Sequence, residues 1–257
     1  MPSLRLGSIA RVVATGCAIV GATSCAQPQA EMYDPAPNFP QDLDAYMTEH
    51  YLAAMDLETA VIQGHLDDGR LHADWIATHR PHRDLPGARG PHAASVRVAA
   101  ARGAAASDLE ELASAAAGVA VGCGSCHAET QGSLDYLSTT PPEETESVTE
   151  RMARHVWAAD RMWEALVRHS DELWDSGVRV LQSSAVSARE VAWSPETESE
   201  VRPLVAELEE IAVSAAAVDV WTERGDLVGS LLTTCSRCHE ALGIDPLSLI
   251  DVGADRK

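Results

Sequence analysis

The stretch Cys-Gly-Ser-Cys-His at residues 123–127 recurs as Cys-Ser-Arg-Cys-His at residues 235–239. The shared pattern Cys-x-x-Cys-His is the attachment sequence of a c-type haem, in which two thiols bond to the vinyl groups and the histidine binds the iron. On a helix, side chains at positions i, i+3 and i+4 share one face, so all three groups can meet one haem. A zinc site would gather four ligands around one ion, whereas about a hundred residues separate these pairs, and a redox dithiol needs no histidine after it. The sequence therefore predicts two covalently bound haem c groups, each with one iron.

The two pentads each close one copy of a longer repeat. Residues 47–54 (MTEHYLAA) match residues 152–159 (MARHVWAA), and residues 104–109 match residues 215–220. The offset between the copies grows only from 105 to 111, and then to 112 at the pentads. A repeat of this length is a whole small domain rather than a unit of a solenoid.

Composition and periodicity predict an all-α protein. Aromatic residues make up 4% of the chain, and no stretch shows the alternation of β-branched residues that a strand requires. In the second copy, Ser147 to Glu150 forms a capping-box pattern, and Ser194 followed by Pro195 marks another helix start. Each copy divides into four helices. Those of the first copy are expected at residues 41–64, 66–79 and 92–105, followed by a helix that begins at Ser107 or Asp108 and carries the pentad at its far end.

Residues 1–26 have the pattern of an export signal, with two arginines before an apolar segment. That segment, residues 12–22, is too short to span a bilayer. Two main interpretations stay open, namely cleavage after Ala26 or lipidation of Cys25 as in a bacterial lipoprotein; an uncleaved anchor is the third. No later apolar run reaches the roughly 20 residues of a membrane span. The protein is therefore expected to be periplasmic or otherwise exported, with a lipid anchor at Cys25 as its one route to a membrane.

Proline-rich segments separate the predicted domains, since proline and glycine clusters mark linkers. The expected organisation is a signal peptide (1–26), a linker (27–40), a first haem-binding helical bundle (41–130), a second linker (131–146), a second haem-binding helical bundle (147–243) and a tail (244–257).

Charge and cysteine content limit the partners. The formal net charge is −20, from 19 basic and 39 acidic residues, so the chain should repel nucleic acid and anionic lipid. The expected partner is a redox protein. The negative charge has two interpretations, namely that it attracts a basic docking surface on this partner or that it only keeps the protein surface well solvated. Of the six cysteines, four belong to the pentads and two to the export signal. No pair remains for a structural disulfide.

Four helices with the pentad on the last one resemble the cytochrome c′ superfamily, whose antiparallel four-helix bundles hold a haem between the helices. The resemblance implies two tandem four-helix bundles of this type. Many members carry a basic residue soon after the pentad, whereas Glu129 and Glu240 follow here. By this resemblance the thioethers form at Cys123, Cys126, Cys235 and Cys238, and the proximal iron ligands are His127 and His239.

The resemblance also places a residue of helix one over the open face of the iron. Two matched pairs recur there at helical spacing: His50 and His155 are the first choice as distal ligands, and Met47 and Met152 are the runners-up. An open site is the third possibility. A pairing of His65 with His169, after one gap, is a more distant candidate. Four other histidines of the first copy have no counterpart in the second copy: His72, His79, His82 and His92. The last three flank or occupy a proline-rich loop, where a surface metal site is conceivable, but their spacing fits no known metal motif, so a structural role is expected.

Electron transfer through two haems is the function that these features favour, because it needs neither a substrate pocket nor a catalytic side chain. No nucleophile elbow, phosphate loop or zincin helix occurs, so the chain is not expected to be an enzyme. The main alternative is a haem protein of cytochrome c′ type that binds or senses NO or CO, which requires an open iron face. A di-haem peroxidase is the third interpretation, and it requires acid–base groups beside an open site.

Overall fold

The computed structural model describes residues 43–80, 85, 89–130, 139–144 and 147–244, all within one compact unit that covers Asn38–Lys257. The predicted export signal, the linker at 27–40 and nearly all of the tail lie outside the described residues. Within them the structure has nine helices and no strand, which confirms the all-α prediction. None of the described helices combines the length and the hydropathy needed to cross a membrane.

The helices of the first copy begin and end close to their predicted positions. The third begins at Arg89, three residues early, because Pro91 falls within the first turn, where no helical hydrogen bond is lost. The bounds are α1 Leu43–Ile62, α2 Leu66–Thr78, α3 Arg89–Ala104, α4 Leu109–Thr130, α5 Val148–Arg168, α6 Asp171–Ser183, α7 Ala188–Val191, α8 Pro195–Ala215 and α9 Trp221–Leu242.

Helix starts in the second copy follow the capping rules only in part. Ser194 caps α8 by accepting a hydrogen bond from the Thr197 N–H, with Pro195 at the first helical position, as predicted. Ser147 occupies the N-cap of α5, but its side chain makes no capping hydrogen bond, so the predicted capping box is wrong. A capping box does form at Ser187, where it starts the short α7.

The turns that end α1 and α5 show how the copies align. After α1, the Gly64 N–H donates to Val61 O; after α5, the His169 N–H donates to Leu166 O in the same way. Gly64 and His169 both have the left-handed backbone of a helix C-terminus, with φ of 76° and 55°. The ungapped offset of 105 therefore pairs His169 with Gly64, and the gapped pairing of His65 with His169 is wrong.

The helices of each copy contact one another in a closed ring, α1-α2-α3-α4 in the first copy and α5-α6-α8-α9 in the second. The copies also pack together, because α4 lies against both α5 and α9, and α1 lies against α9. One hydrophobic core runs through both copies and includes Leu57, Leu112, Trp163 and Trp174. Trp193, by contrast, is 64% exposed.

Small residues let α4 and α9 approach closely. A Cβ at Gly225 would lie 2.7 Å from Val121, and a Cβ at Gly229 would lie 3.5 Å from the carbonyl of Ala113. The later glycine of α9 meets the earlier residue of α4, so the two helices are antiparallel. Leu109, at the start of α4, borders the same cavity as the second pentad. At 1.5 Å per residue, the first pentad begins about 21 Å further along α4, so the pentads lie at opposite ends of the helix pair.

Candidate haem-binding site

The first pentad opens on a cavity at the C-terminal end of α4. Its Cys123, Cys126 and His127 side chains line a space of about 60 Å³. Helix α1 contributes Met47 and His50 to the same cavity. The structure therefore brings together, in the first copy, the pentad and both candidates for the distal iron ligand. Other lining residues come from α3, from α1 and from Val167 at the end of α5.

His50 lines the first cavity with a neutral imidazole. Its Nε2 atom is buried and has no hydrogen-bond partner. Burial, assisted by the nearby charges of His79 and Arg97, lowers the pKa of His50 to about 4, and a hydrogen bond with the backbone of His79 acts in the opposite direction. The imidazole is therefore neutral at physiological pH, as iron coordination requires.

Aromatic rings hold His50 in place. The His50 ring centroid lies 4.2 Å from that of Tyr46 and 5.3 Å from that of Trp75. The His79 ring stacks on Trp75 at 4.1 Å, and His79 Nε2 lies 3.3 Å from a Glu49 carboxylate oxygen. His79 is thus a packing residue of this cluster, in line with the expectation that it is structural.

Basic groups on one stripe of α3 border the cavity. Arg89 and His92 line it, and His92 Nε2 lies 2.6 Å from a carboxylate oxygen of Glu129. Arg97 faces the Tyr46 hydroxyl without a well-aligned hydrogen bond, and burial raises the pKa of Tyr46. Arginines beside a cavity suit anionic groups such as haem propionates. Sequence reasoning missed Arg89, although its spacing to His92 and Val96 is that of one helix face.

The histidine of the first pentad is fixed from the second copy. His127 Nδ1 lies 2.7 Å from the backbone carbonyl oxygen of Val167, at the end of α5. Because a carbonyl only accepts, Nδ1 carries a proton, and in the neutral form of the ring Nε2 keeps its lone pair. In a metal-binding histidine, a hydrogen bond from the nitrogen that does not bind the metal fixes the tautomer and the ring orientation.

The second pentad has the same donor groups in different surroundings. His239 is buried, its Nδ1 lies 3.1 Å from the carbonyl oxygen of Ile62, and burial lowers its pKa. A cavity of about 420 Å³ borders His239 and extends to His65, but neither cysteine of the pentad lines it. Cys238 instead packs against a small cluster of Ala188, Val201 and Leu242.

The distal candidates of the second copy are placed differently from those of the first. His155 is buried, and its Nε2 lies 2.6 Å from the carbonyl oxygen of Ser184 at the end of α6. Burial lowers the pKa of His155, so this imidazole is also neutral. Met152 is half-buried on α5. In His155, unlike in His50, the nitrogen that would bind iron is already hydrogen-bonded to a protein carbonyl.

The pentad cysteines are free thiols, and their surroundings raise the pKa of the first cysteine of each pentad. No disulfide joins Cys123, Cys126, Cys235 or Cys238. Burial raises the pKa of Cys123 and of Cys235 to about 12, with smaller contributions from the neighbouring pentad cysteines. Dithiol oxidoreductases lower the pKa of their attacking thiol to reach the reactive thiolate, so these surroundings do not suit that chemistry.

The donor groups at the first pentad are of the types that a covalently bound haem requires, although the space of about 60 Å³ between them is smaller than a haem. One cavity is bordered by the thiols of Cys123 and Cys126, by the imidazole of His127 and by the unpartnered Nε2 of His50. The second pentad supplies the same types of donor group, but neither cysteine lines the cavity beside His239, and no unpartnered distal nitrogen accompanies them among the described residues. Across the described part of the chain, no group of three or more His, Cys, Asp or Glu side chains is arranged to hold a metal ion by itself. No family model matches the chain, and neither a curated protein nor a solved structure matches it.

Proposed function

We propose that this chain is an exported di-haem c-type cytochrome that transfers electrons through two covalently bound haems, held in two tandem four-helix bundles of cytochrome c′-like type. The observation that carries the proposal is the buried, unpartnered Nε2 of His50 in a cavity shared with Cys123, Cys126 and His127. A buried polar atom without a partner costs about 1–3 kcal/mol. An iron ligand position accounts for that cost.

The residues of the chain have distinct roles in this proposal. Cys123 and Cys126 form the thioethers of the first haem, and Cys235 and Cys238 those of the second. Once bound, each haem supplies one-electron iron chemistry. His127 and His239 bind the iron from the proximal side with Nε2, and His50 binds it from the distal side in the first site. Arg89 and His92 supply positive charge and hydrogen-bond donors for carboxylates at the cavity wall.

The acidic surface supports a protein partner rather than nucleic acid. A net charge of −20 steers the chain towards a redox protein with a basic surface, because complementary charge increases association rates. The proposed location is periplasmic or otherwise exported, with or without a lipid anchor at Cys25. The proposal requires no catalytic side chain, so the chain is not assigned an enzymatic reaction.

The proposal is tested by counting covalent haems. Intact mass and a pyridine haemochrome assay on the matured protein should give two haems per chain. The double variants Cys123→Ala/Cys126→Ala and Cys235→Ala/Cys238→Ala should each retain one haem. A colourless protein without added mass would overturn the proposal, and a single haem in the unmodified protein would restrict it to one site.

A second candidate function, the binding of a gaseous ligand, is favoured at the second site by the contact of His155 Nε2 with Ser184. A distal histidine that stays hydrogen-bonded to the protein leaves its iron face open. Carbon monoxide titration of the reduced protein separates the possibilities. One CO per chain would support gas binding at the second site, and His50→Ala should then raise the count to two. No binding would leave electron transfer alone, and peroxide turnover would point instead to a di-haem peroxidase.

A further inference from the structure

Two hydrogen bonds join the copies in a reciprocal way. His127 of the first copy contacts the Val167 carbonyl of the second, and His239 of the second contacts the Ile62 carbonyl of the first, at 2.7 Å and 3.1 Å. Ile62 and Val167 are 105 positions apart, the same offset that relates the matched segments of helix one. The histidines are equivalent positions of the two pentads. The two bonds are therefore one contact made twice, in opposite directions.

The helices that provide these carbonyls also carry the distal candidates. In α1, His50 lines the first cavity while Ile62 contacts the histidine of the second pentad. The same order occurs in α5, from His155 to Val167. Twelve residues separate the two functions in each helix, a rise of about 18 Å. Each first helix of a copy thus extends from its own distal position to the other copy's proximal histidine.

Close packing makes the first of these contacts possible. A Cβ at Gly124, inside the first pentad, would overlap the carbonyl oxygen of Leu166 in the last turn of α5. Only glycine lets that turn approach α4 closely enough for the Val167 carbonyl to reach His127. At the equivalent position of the second pentad, Ser236 lies against the turn after α1, and its Oγ would be 3.2 Å from a Cβ at Gly64.

We propose that α1 and α5 couple the two sites, because the C-terminal turn of each helix positions the proximal histidine of the other copy. The inference rests on the proposed function, since it takes His127 and His239 as iron ligands. Donation from Nδ1–H to a carbonyl orients the ring and makes Nε2 a stronger electron donor. A stronger donor stabilises the oxidised iron, so the reduction potential of each haem depends on the docking of the other copy. Gly124 and Gly64 are positioning residues for this contact.

The test compares two glycine substitutions on one helix in the full-length, haem-loaded protein. Gly124→Ala forces the last turn of α5 away from His127. Gly118→Ala is the matched control, because its Cβ would meet Arg102 at 3.2 Å and Ala99 at 3.4 Å, both within the first copy. Spectroelectrochemical titration should show one of the two potentials rising in Gly124→Ala and neither rising in Gly118→Ala. Equal shifts in both variants, or no shift in either, would overturn the coupling.

A reciprocal variant and a second measurement keep the test independent of folding losses. Gly64→Ala, strained at φ +76° and close to Ser236, should raise the other of the two potentials. In the unmodified protein, the Nδ1 protons of both pentad histidines should exchange slowly with D₂O in NMR spectra. Rapid exchange of either proton would overturn the proposal without any variant. If the protein carries two haems whose reduction potentials do not respond to these substitutions, only the coupling is refuted. If the protein carries no haem, the proposed function is refuted.

Discussion

Replacing His50 by phenylalanine should remove a specific acid-sensitive part of the protein's stability. The pKa of this imidazole is about 4 in the folded chain, compared with 6.5 for an unperturbed histidine. Between these values the unfolded chain binds one more proton than the folded chain, so stability is fully present above pH 6.5 and falls as the pH is lowered to 4. At 1.36 kcal/mol per pKa unit, the loss amounts to about 3 kcal/mol. Phenylalanine fits the aromatic surroundings of Tyr46 and Trp75 and does not titrate.

The measurement is urea unfolding followed by circular dichroism, on the haem-free chain, at intervals from pH 7.5 to pH 4. The pKa values of His79, His155, His169 and His239 are also lowered, chiefly by burial, so both proteins lose stability in acid. The difference between the two curves isolates His50. That difference should grow as the pH falls, with a slope approaching ~1.4 kcal/mol per pH unit. A difference that stays constant within ~0.5 kcal/mol would refute the assignment of His50 as a buried neutral imidazole.

Two further substitutions test buried polar groups of the hydrophobic core. Glu58 is buried, its Oε1 has no hydrogen-bond partner, and burial together with the charge of Asp160 raises the pKa of its carboxyl group. The folded chain therefore favours the protonated form of Glu58, and this stabilisation is lost as the pH rises. Glu58→Gln should increase the free energy of unfolding by about 1–3 kcal/mol at pH 8 and by less at pH 4. Trp174 donates from Nε1 to the carbonyl of Ala215 at 2.9 Å, so Trp174→Phe should cost about 1–3 kcal/mol in chemical denaturation. Trp193→Phe at an exposed position is its control and should stay within ~0.5 kcal/mol.

Local signals in the sequence were sufficient to predict most of the helices, but the short α7 of the second copy was not expected. The bounds of α1 and α2 follow from apolar spacing and from the break between them, and Ser194 with Pro195 located the start of α8. The repeat also singled out Met47 and His50 on helix one, and both residues line the cavity of the first pentad. These features depend on residues within a few turns of one another, which is the range over which periodicity and capping act.

Contacts between distant segments were beyond the reach of such signals. The bond from His127 to Val167 depends on how closely α5 approaches α4, which is decided by Gly124 and by the packing of a shared core. Nothing in a single sequence reports that approach. The gapped pairing of His65 with His169 failed for a related reason. It matched two histidine side chains, whereas His169 corresponds to Gly64 because both residues have a left-handed backbone. The sequence did not single out Arg89, because α3 is rich in alanine and few large apolar residues mark its buried face.

The divergence of the copies explains why the same Met-x-x-His pattern leads to two different sites. In the first copy Glu49 contacts His79, the residue that ends α2, and His50 keeps a free Nε2. Arg154 replaces Glu49 in the second copy. It is buried, and it donates hydrogen bonds to the carbonyl of Pro142 and to the hydroxyls of Ser183 and Ser184.

This network fixes the end of α6, where the Ser184 carbonyl engages His155. A buried arginine that donates to several acceptors is costly to move, so His155 is less able to reach an iron than His50 is. Arg154→Glu, which restores the residue of the first copy, should therefore weaken the hold of Ser184 on His155. If two equivalent haem sites were the ancestral arrangement, one charge reversal beside the histidine would be enough to make them inequivalent.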